Sequence, residues 1–168
     1  LVSITISPDT NAPSISFVGN QVVAEDNTLG PIAFSIGDPE VAAEDLTVSG
    51  VCSSAALVFA SGFEFSGSGS NRTVRITPAT NANGSATISL IVSDGKLTAT
   101  NQFVLTVTPV NDAPVFVTKP TNVVVRRGQT STPQTFTVND VDNVLDSLAL
   151  AAVPVDTTRV PIALSKTP

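Results

Sequence analysis

The chain carries the same polar, proline-containing segment twice, one domain length apart. The sequence SPDTNAPSI at residues 7–15 returns as TPVNDAPVF at residues 108–116, a spacing of 101 residues. A second match, between PIAFSIGDPE at 31–40 and PQTFTVNDVD at 133–142, has a spacing of 102 residues. Internal similarity at a fixed period is the signature of repeat architectures, so the sequence predicts tandem units of about 100 residues.

This period divides the 168-residue chain into one whole unit and parts of two others. Residues 1–11 are predicted to be the last strand of a preceding repeat. Residues 12–112 form the predicted complete repeat, and residues 113–168 the first part of a following repeat. Because the chain opens inside a strand-like run, LVSITIS, and has no initiator Met, we expect it to be a piece of a longer polypeptide.

Apolar and polar residues alternate along several short runs of the complete repeat, which is typical of half-buried β-strands. The apolar positions of IAFSI, TVRIT, ATISLIV and FVLTV are the predicted core: Ile32, Phe34, Ile36, Val74, Ile76, Ala86, Ile88, Leu90, Val92, Phe103, Leu105 and Val107. Helical periodicity is absent, and PEVAAEDL at 39–46 is predicted to be a loop or a single turn. About seven such strands, separated by turn residues, predict an all-β, Greek-key β-sandwich.

Composition excludes several classes of function. A net charge of −6 argues against nucleic acid, which needs clustered Lys and Arg. The chain has no His and one Cys, so a His-containing triad and a Cys/His zinc site are both excluded. No apolar run is long enough to cross a membrane. We therefore predict a protein that is not an enzyme, and we expect Cys52 to be a small buried hydrophobe.

The hinge VTPVNDAPVF, together with VSDGKLT before the last strand, resembles the tandem cadherin-like repeats of very long bacterial surface proteins, which are similar to bacterial Ig-like domains. The resemblance covers the whole chain and implies an extracellular or cell-surface location. Cadherins hold calcium where one domain meets the next, and Ca²⁺ takes six to eight oxygen ligands. The resemblance thus implies Ca²⁺ as a possible cofactor that stiffens the repeat junctions.

Two ligand sets follow from this resemblance. The junction below the complete repeat would use Glu25, Asn111, Asp112, Asp140 and Asp142. The junction above it would use Asp9, Asn11, Asp38, Glu40 and Asp94. The alternative is that these Asp and Asn residues are turn formers and loop solubilisers, since Asp beside Gly or Pro needs no metal to explain it.

Three classes of function remain open. The first is a non-catalytic structural or adhesive module that acts as a stalk or spacer, with neighbouring repeats or a cell-surface or matrix ligand as partners. The second is a subunit of an extracellular fibre, in which copies of the chain join by β-strand addition. The weakest is a carbohydrate-binding module, because such modules rely on aromatic platforms and this chain has eight Phe, mostly at predicted core positions, and no Trp or Tyr.

Overall fold

A computed structural model of the chain describes residues 10–152. The predicted strand at 1–7, the candidate ligand Asp9 and the segment 153–168 lie outside the described residues. Contacts divide the chain into a first unit, Leu1–Val110, and a second unit, Asn111–Pro168. The repeat boundaries proposed from the sequence stay predictions.

Between residues 10 and 110 the first unit forms eight β-strands and a short 3₁₀ turn, Ala60–Gly62. The strands are β1 Ser14–Ile15, β2 Gln21–Ala24, β3 Leu29–Gly37, β4 Thr47–Cys52, β5 Phe63–Ser68, β6 Asn71–Ile76, β7 Gly84–Ser93 and β8 Thr98–Thr108. They form two four-stranded sheets, in the orders β1-β3-β6-β5 and β2-β8-β7-β4. All neighbours run antiparallel except β2 and β8, which are parallel. The described part of the first unit is thus an all-β sandwich.

The inward faces of both sheets supply the core, as the alternation predicted. Ile76, Ile88, Leu90 and Leu105 are completely buried, and their neighbours on the same faces are nearly so. Of the predicted core residues only Ile32 is merely half-buried, and it packs against the rest. Core residues that the alternation did not identify are Val18, Leu46, Leu57 and Val58.

The first two strands of the sandwich lie at the edges of different sheets. β1 pairs with β3 in one sheet, and the chain then crosses to the other sheet, where β2 lies beside β8. Two asparagine side chains accept hydrogen bonds from backbone N–H groups where the chain crosses between the sheets. Asn20 Oδ1 accepts from the Val104 N–H at 2.9 Å, and Asn101 Oδ1 accepts from the Val18 N–H at 3.3 Å. With β3, β6 and β5 in one sheet and β4, β7 and β8 in the other, the strand order is that of an immunoglobulin-like sandwich.

The loops largely follow the sequence signals. The segment 39–46 is a loop with one turn, closed by the Asp45 N–H donating to the Ala42 carbonyl at 2.9 Å. Cys52 differs from the expectation: it is half-buried, because it lies at the end of β4 with one side against the core. Five of the eight Phe are buried or half-buried, and the exposed ones are Phe17, Phe59 and Phe116.

The described part of the second unit contains two strands, β9 Val115–Thr118 and β10 Thr137–Asn139, and a 3₁₀ turn at Leu145–Ser147. Val115 pairs with Asn139 and Phe116 with Val138. In the first unit Ser14 pairs with Gly37 and Ile15 with Ile36. Shifted by the sequence spacings of 101 and 102 residues, these pairs coincide, so the two units open with the same strand pairing.

Helices in the described chain are limited to these short 3₁₀ turns, and none is long and apolar enough to cross a membrane.

Candidate metal-binding loops

Two of the candidate ligands, Asp38 and Asp94, lie at the same end of the first unit. Asp38 follows the last residue of β3, and Asp94 follows the last residue of β7. The loop from Asp38 leads into Thr47, which pairs with Ser93, the residue before Asp94. Strand pairing therefore brings these two loops to one pole of the sandwich.

Each of these aspartates folds its own loop with one carboxylate oxygen. Asp38 Oδ1 accepts the N–H groups of Glu40 at 2.7 Å and Val41 at 2.9 Å. Asp94 Oδ1 accepts those of Lys96 at 2.6 Å and Leu97 at 2.7 Å. The other oxygen, Oδ2, is buried in both residues and has no hydrogen-bond partner among the described residues. A buried charged oxygen without a partner is costly, so each loop holds an acceptor with unused capacity.

Glu40 connects the same pole to the segment that precedes β1. Its Oε2 accepts the N–H of Thr10 at 2.8 Å and of Asn11 at 3.1 Å. The structure therefore brings Glu40 and Asn11 together, but through the backbone of Asn11. Both residues are exposed.

The second unit repeats this arrangement residue by residue. Asp140 Oδ1 accepts the N–H groups of Asp142 at 3.0 Å and Asn143 at 2.7 Å, and Asp140 Oδ2 is buried without a partner among the described residues. Asp142 Oδ2 accepts the N–H of Asp112 at 2.6 Å. Asp140, Asp142 and Asp112 thus make the contacts that Asp38, Glu40 and Asn11 make in the first unit.

Asn143 is a residue of this loop that sequence analysis did not identify. Its Nδ2 donates to Asn111 Oδ1 at 2.8 Å and to Asp140 Oδ1 at 3.2 Å. It therefore joins two of the candidate ligands. The sequence did contain a signal for Asn143, because it lies three residues after Asp140 in the loop that the repeat shares.

Hydrogen bonding favours the ionised form of two of these aspartates. The N–H groups of Leu97 and Lys96 lower the pKa of Asp94 below its ordinary value of 3.8, and they outweigh an opposing effect of desolvation. For Asp140, desolvation raises the pKa, but the N–H groups of Asn143 and Asp142 and the Asn143 amide together lower it below 3.8. Both side chains are therefore carboxylates at neutral pH, the form that a hard cation binds.

Glu25 occupies a different setting from the other candidates. It is 2% exposed, its Oε1 accepts the Val110 N–H at 2.6 Å, and its Oε2 accepts from Asn83 Nδ2 at 3.3 Å. Its own N–H donates to the Thr108 carbonyl at 2.9 Å. Glu25 therefore holds the chain that leaves β8. Asn83 belongs to the Asn81–Asn83 loop, whose part in this contact the sequence did not indicate.

Among residues 10–152, no three His, Cys, Asp or Glu side chains lie close enough together to hold a metal ion. The structure brings together pairs: Asp38 with Glu40, Asp140 with Asp142, and each second acid with the segment before β1 or β9. What the loops present is a set of carboxylate and amide oxygens, the hard donors that suit Ca²⁺. Whether calcium is bound stays a prediction.

No protein-family model matches the sequence. No curated protein sequence matches it either. Solved structures that resemble the chain include a chimeric titin Z1Z2 functionalised with an exogenous peptide from decorin, at 25% identity and a TM-score of 0.42, with 60% of this chain and 97% of that chain covered.

Two further solved structures lie at lower similarity. The N-terminal Ig1-2 module of the Drosophila receptor protein tyrosine phosphatase DLAR is 20% identical, with a TM-score of 0.38 and 66% and 58% of the two chains covered. A nucleoside hydrolase-related hypothetical protein from Saccharophagus degradans is 17% identical, with a TM-score of 0.38 and 58% and 26% covered. The assignment of an immunoglobulin-like sandwich rests on the strand order of the two sheets and not on these likenesses.

Proposed function

We propose that this chain is a non-catalytic structural module of an extracellular or cell-surface protein, in which repeated sandwiches act as a stalk or spacer. The observation that carries this proposal is the recurrence of one set of contacts at the sequence period. Asp38 and Asp140 fold equivalent loops, and Glu40 and Asp142 hold equivalent N–H groups. Side chains that recur with the repeat serve the architecture of each unit, whereas a catalytic site is a single arrangement.

The proposal includes Ca²⁺ as a ligand of the loops. Support comes from the buried, unpartnered Oδ2 atoms of Asp38, Asp94 and Asp140, since a cation would offset the cost of burying them. Asp38 and Asp94 would hold a cation at the pole of the first unit, with Asp9, Asn11 and Glu40 as further candidates. Asp140, Asp142, Asn111 and Asp112 are the candidates for the equivalent site of the second unit. Bound calcium would supply charge neutralisation and rigidity.

Calorimetry and thermal melting of the 168-residue chain test the calcium proposal. A ligand that binds only the folded state stabilises it by about 2.7 kcal/mol at a concentration 100 times its Kd. We therefore expect calcium to raise the melting temperature relative to chelator, and magnesium to raise it less. Small-angle scattering should give a calcium-dependent profile.

The variant Asp38→Asn removes a candidate ligand charge but keeps an oxygen that can fold the loop. It should lose most of the calcium-dependent stabilisation at the first unit, while the matched control Thr98→Asn, a change at the exposed start of β8, should keep it. Identical melting curves with calcium and with chelator, together with no heat of binding, would contradict the calcium proposal. These acidic residues would then be turn formers that bind no metal. The structural-module proposal would survive that result, because the sandwich core does not depend on the metal.

A second candidate function is a subunit of an extracellular fibre. It is favoured by the apolar side chains that the second unit exposes along its first strand: Val115 is 57%, Phe116 55% and Val117 63% exposed. An edge strand with such side chains is a site for strand addition. Sedimentation velocity over a range of concentrations, with electron microscopy of the same samples, should show growing head-to-tail oligomers, and a monomer at all concentrations would exclude this function.

A further inference from the structure

The strand β4 forms an open edge of the sheet β2-β8-β7-β4. On its inner side it pairs with β7 over its whole length, without a bulge. Directly after β4, the Ser53 N–H donates to the Thr87 carbonyl of β7 at 2.9 Å. Successive residues of a strand direct their backbone groups to opposite sides, so the N–H and carbonyl groups of Val48, Gly50 and Cys52 point away from β7. Within the described residues no strand pairs with that side of β4.

β4 lacks the features by which edge strands usually avoid pairing with another chain. Such strands are short, or they carry charged side chains, prolines or bulges. β4 has six residues, with no charged side chain, no proline and no bulge. The edge strands β1 and β2 have only two and four residues, and β5 carries Glu64. Of the described edges of the first unit, β4 is therefore the one best suited to strand addition.

Charge favours a second copy of this chain as the added partner. The chain has a net charge of −6, but β4 and the neighbouring β7 contain no Asp, Glu, Lys or Arg. Two copies can therefore meet along β4 without placing like charges of these strands together and without removing a charged group from water. The outer face of β4 also exposes apolar surface, since Val51 is 53% exposed, and a paired strand would cover part of it.

We propose that β4 pairs with β4 of a second copy in antiparallel orientation, with the two Gly50 residues opposite each other on a two-fold axis. In this register Val48 of each copy lies opposite Cys52 of the other, and every backbone group that points away from β7 gains a partner. A shift in either direction would leave some of these groups unpaired. The contact is isologous, so it closes at two copies and joins their sheets into one. The inference goes beyond the proposed function, because it needs neither calcium nor the head-to-tail contact of a fibre.

Disulfide cross-linking tests the register. In a Cys52→Ala background, a chain with Ser49→Cys is mixed in equal amount with an isotope-labelled chain with Val51→Cys under mild oxidation. Both positions are exposed, so the changes leave the core intact. The proposed register places position 49 of one copy opposite position 51 of the other, within reach of a disulfide. The mixed disulfide should therefore exceed each homodimer about tenfold. A purely statistical ratio, or an excess of either homodimer, would overturn the register.

Sedimentation velocity gives a second readout that needs no introduced cysteine. A contact along six residues buries less than the roughly 1,000 Å² of a stable interface, so we expect a weak dimer that forms at high protein concentration. Ser49→Lys places a charge on the edge strand and should weaken the dimer at least about tenfold. The matched control Val104→Lys changes a 39% exposed residue of the same outer face, but on β8, and should leave the dimer unchanged.

Three outcomes would overturn the edge pairing. The first is a monomer at every concentration, and the second is equal weakening by both lysine variants, which would indicate that the sheets pack face to face. The third is association into oligomers larger than a dimer that Ser49→Lys does not affect, which would favour the fibre candidate instead. None of these results would contradict the structural-module proposal, because that proposal rests on contacts within each unit.

Discussion

At the scale of single residues, Glu25 shows how a charged side chain becomes part of the fold. It is the one buried ionisable side chain among the residues whose burial the structure describes, and it accepts hydrogen bonds from Val110 and Asn83, 85 and 58 residues away. Glu25→Ala should lower the free energy of unfolding by about 1–3 kcal/mol, because it removes two hydrogen bonds that a buried carboxylate makes. Glu25→Gln should cost less, since its amide oxygen can still accept the Val110 N–H.

Urea denaturation in the presence of chelator measures both effects, with Glu44→Ala, a change at an exposed residue of the 39–46 loop, as the control. If Glu25→Ala loses no more stability than Glu44→Ala, the contact with Val110 does not contribute to the fold. Comparable slopes of unfolding free energy against urea are needed for the comparison, because a changed slope indicates a changed unfolded or native state.

Asp94 gives the first unit a predictable response to acid. Its pKa is lowered in the folded state by the N–H groups of Leu97 and Lys96. A lowered pKa contributes stability that is fully present above the ordinary value of 3.8 and is lost as the pH falls through the folded value. When the pH is lowered below about 4, we expect the Asp94→Asn variant to lose less stability than the wild type, because it has no carboxylate to protonate at this position.

Thermal melts at a series of pH values, with chelator present, test this expectation. Thr98→Asn introduces no titratable group and should reproduce the wild-type acid profile. An Asp94→Asn profile that runs parallel to that of the wild type would show that the loop hydrogen bonds do not favour the ionised form.

At the scale of strands and turns, the β5–β6 hairpin depends on two glycines in different ways. Gly67 has φ +96°, and a Cβ there would lie 2.3 Å from the Asn71 carbonyl oxygen. Gly69, at the hairpin turn, has φ +56° and open space around it. Gly67→Ala should therefore lower stability by about 1–3 kcal/mol, since both conformation and packing oppose a side chain.

Gly69→Ala is the matched control for this hairpin. It meets only the penalty of a left-handed backbone, roughly 1 kcal/mol, because no atom lies near the added methyl group. Equal losses for the two variants in chemical denaturation would mean that the close approach to Asn71 relaxes without cost.

The strands differ in how well the sequence revealed them. β7 was evident because Ala86, Ile88, Leu90 and Val92 alternate with polar residues, and these side chains are the buried ones. β4 gave no clear signal, because Gly50 stands at an inward position where the Phe63 ring lies against its backbone. The parallel pairing of β2 with β8 could not be predicted, since it joins residues more than 80 positions apart through backbone groups.

The candidate loops show the same division between local and distant information. Asp38, Asp94 and Asp140 were candidates because of the family resemblance, and the alternative that they are turn formers rests on contacts with residues two and three positions away. The contacts of Glu40 with the N–H groups of Thr10 and Asn11 depend on β1 and β3 being paired, as does the burial of Glu25 on its partners across the sandwich. The sequence therefore indicated the acids of these loops, while strand pairing decided what each one contacts.

At the scale of the whole molecule, the two units reuse one opening motif. β1 with β3 and β9 with β10 have equivalent registers, and the acids Glu40 and Asp142 hold equivalent backbone groups before those strands. In repeat proteins, stability is approximately a sum of the contribution of each unit and that of its interfaces. The arrangement thus favours a module whose stability is local to each repeat.

Such locality predicts that the first unit does not need the second. Every fully buried hydrophobic side chain in residues 10–152 lies between Val18 and Val107, inside the first unit. A chain truncated to residues 10–112 keeps all of them, and it also keeps the Glu40 contacts with Thr10 and Asn11 and the Glu25 contact with Val110. We expect it to melt cooperatively within about 2 °C of the main transition of the full chain, a difference of under about 0.5 kcal/mol for a domain of this size. Differential scanning calorimetry in the presence of chelator makes the comparison. The truncated chain could instead melt many degrees lower, or show a broad transition without cooperativity. Either result would show that the second unit stabilises the first and that the units are not independent modules.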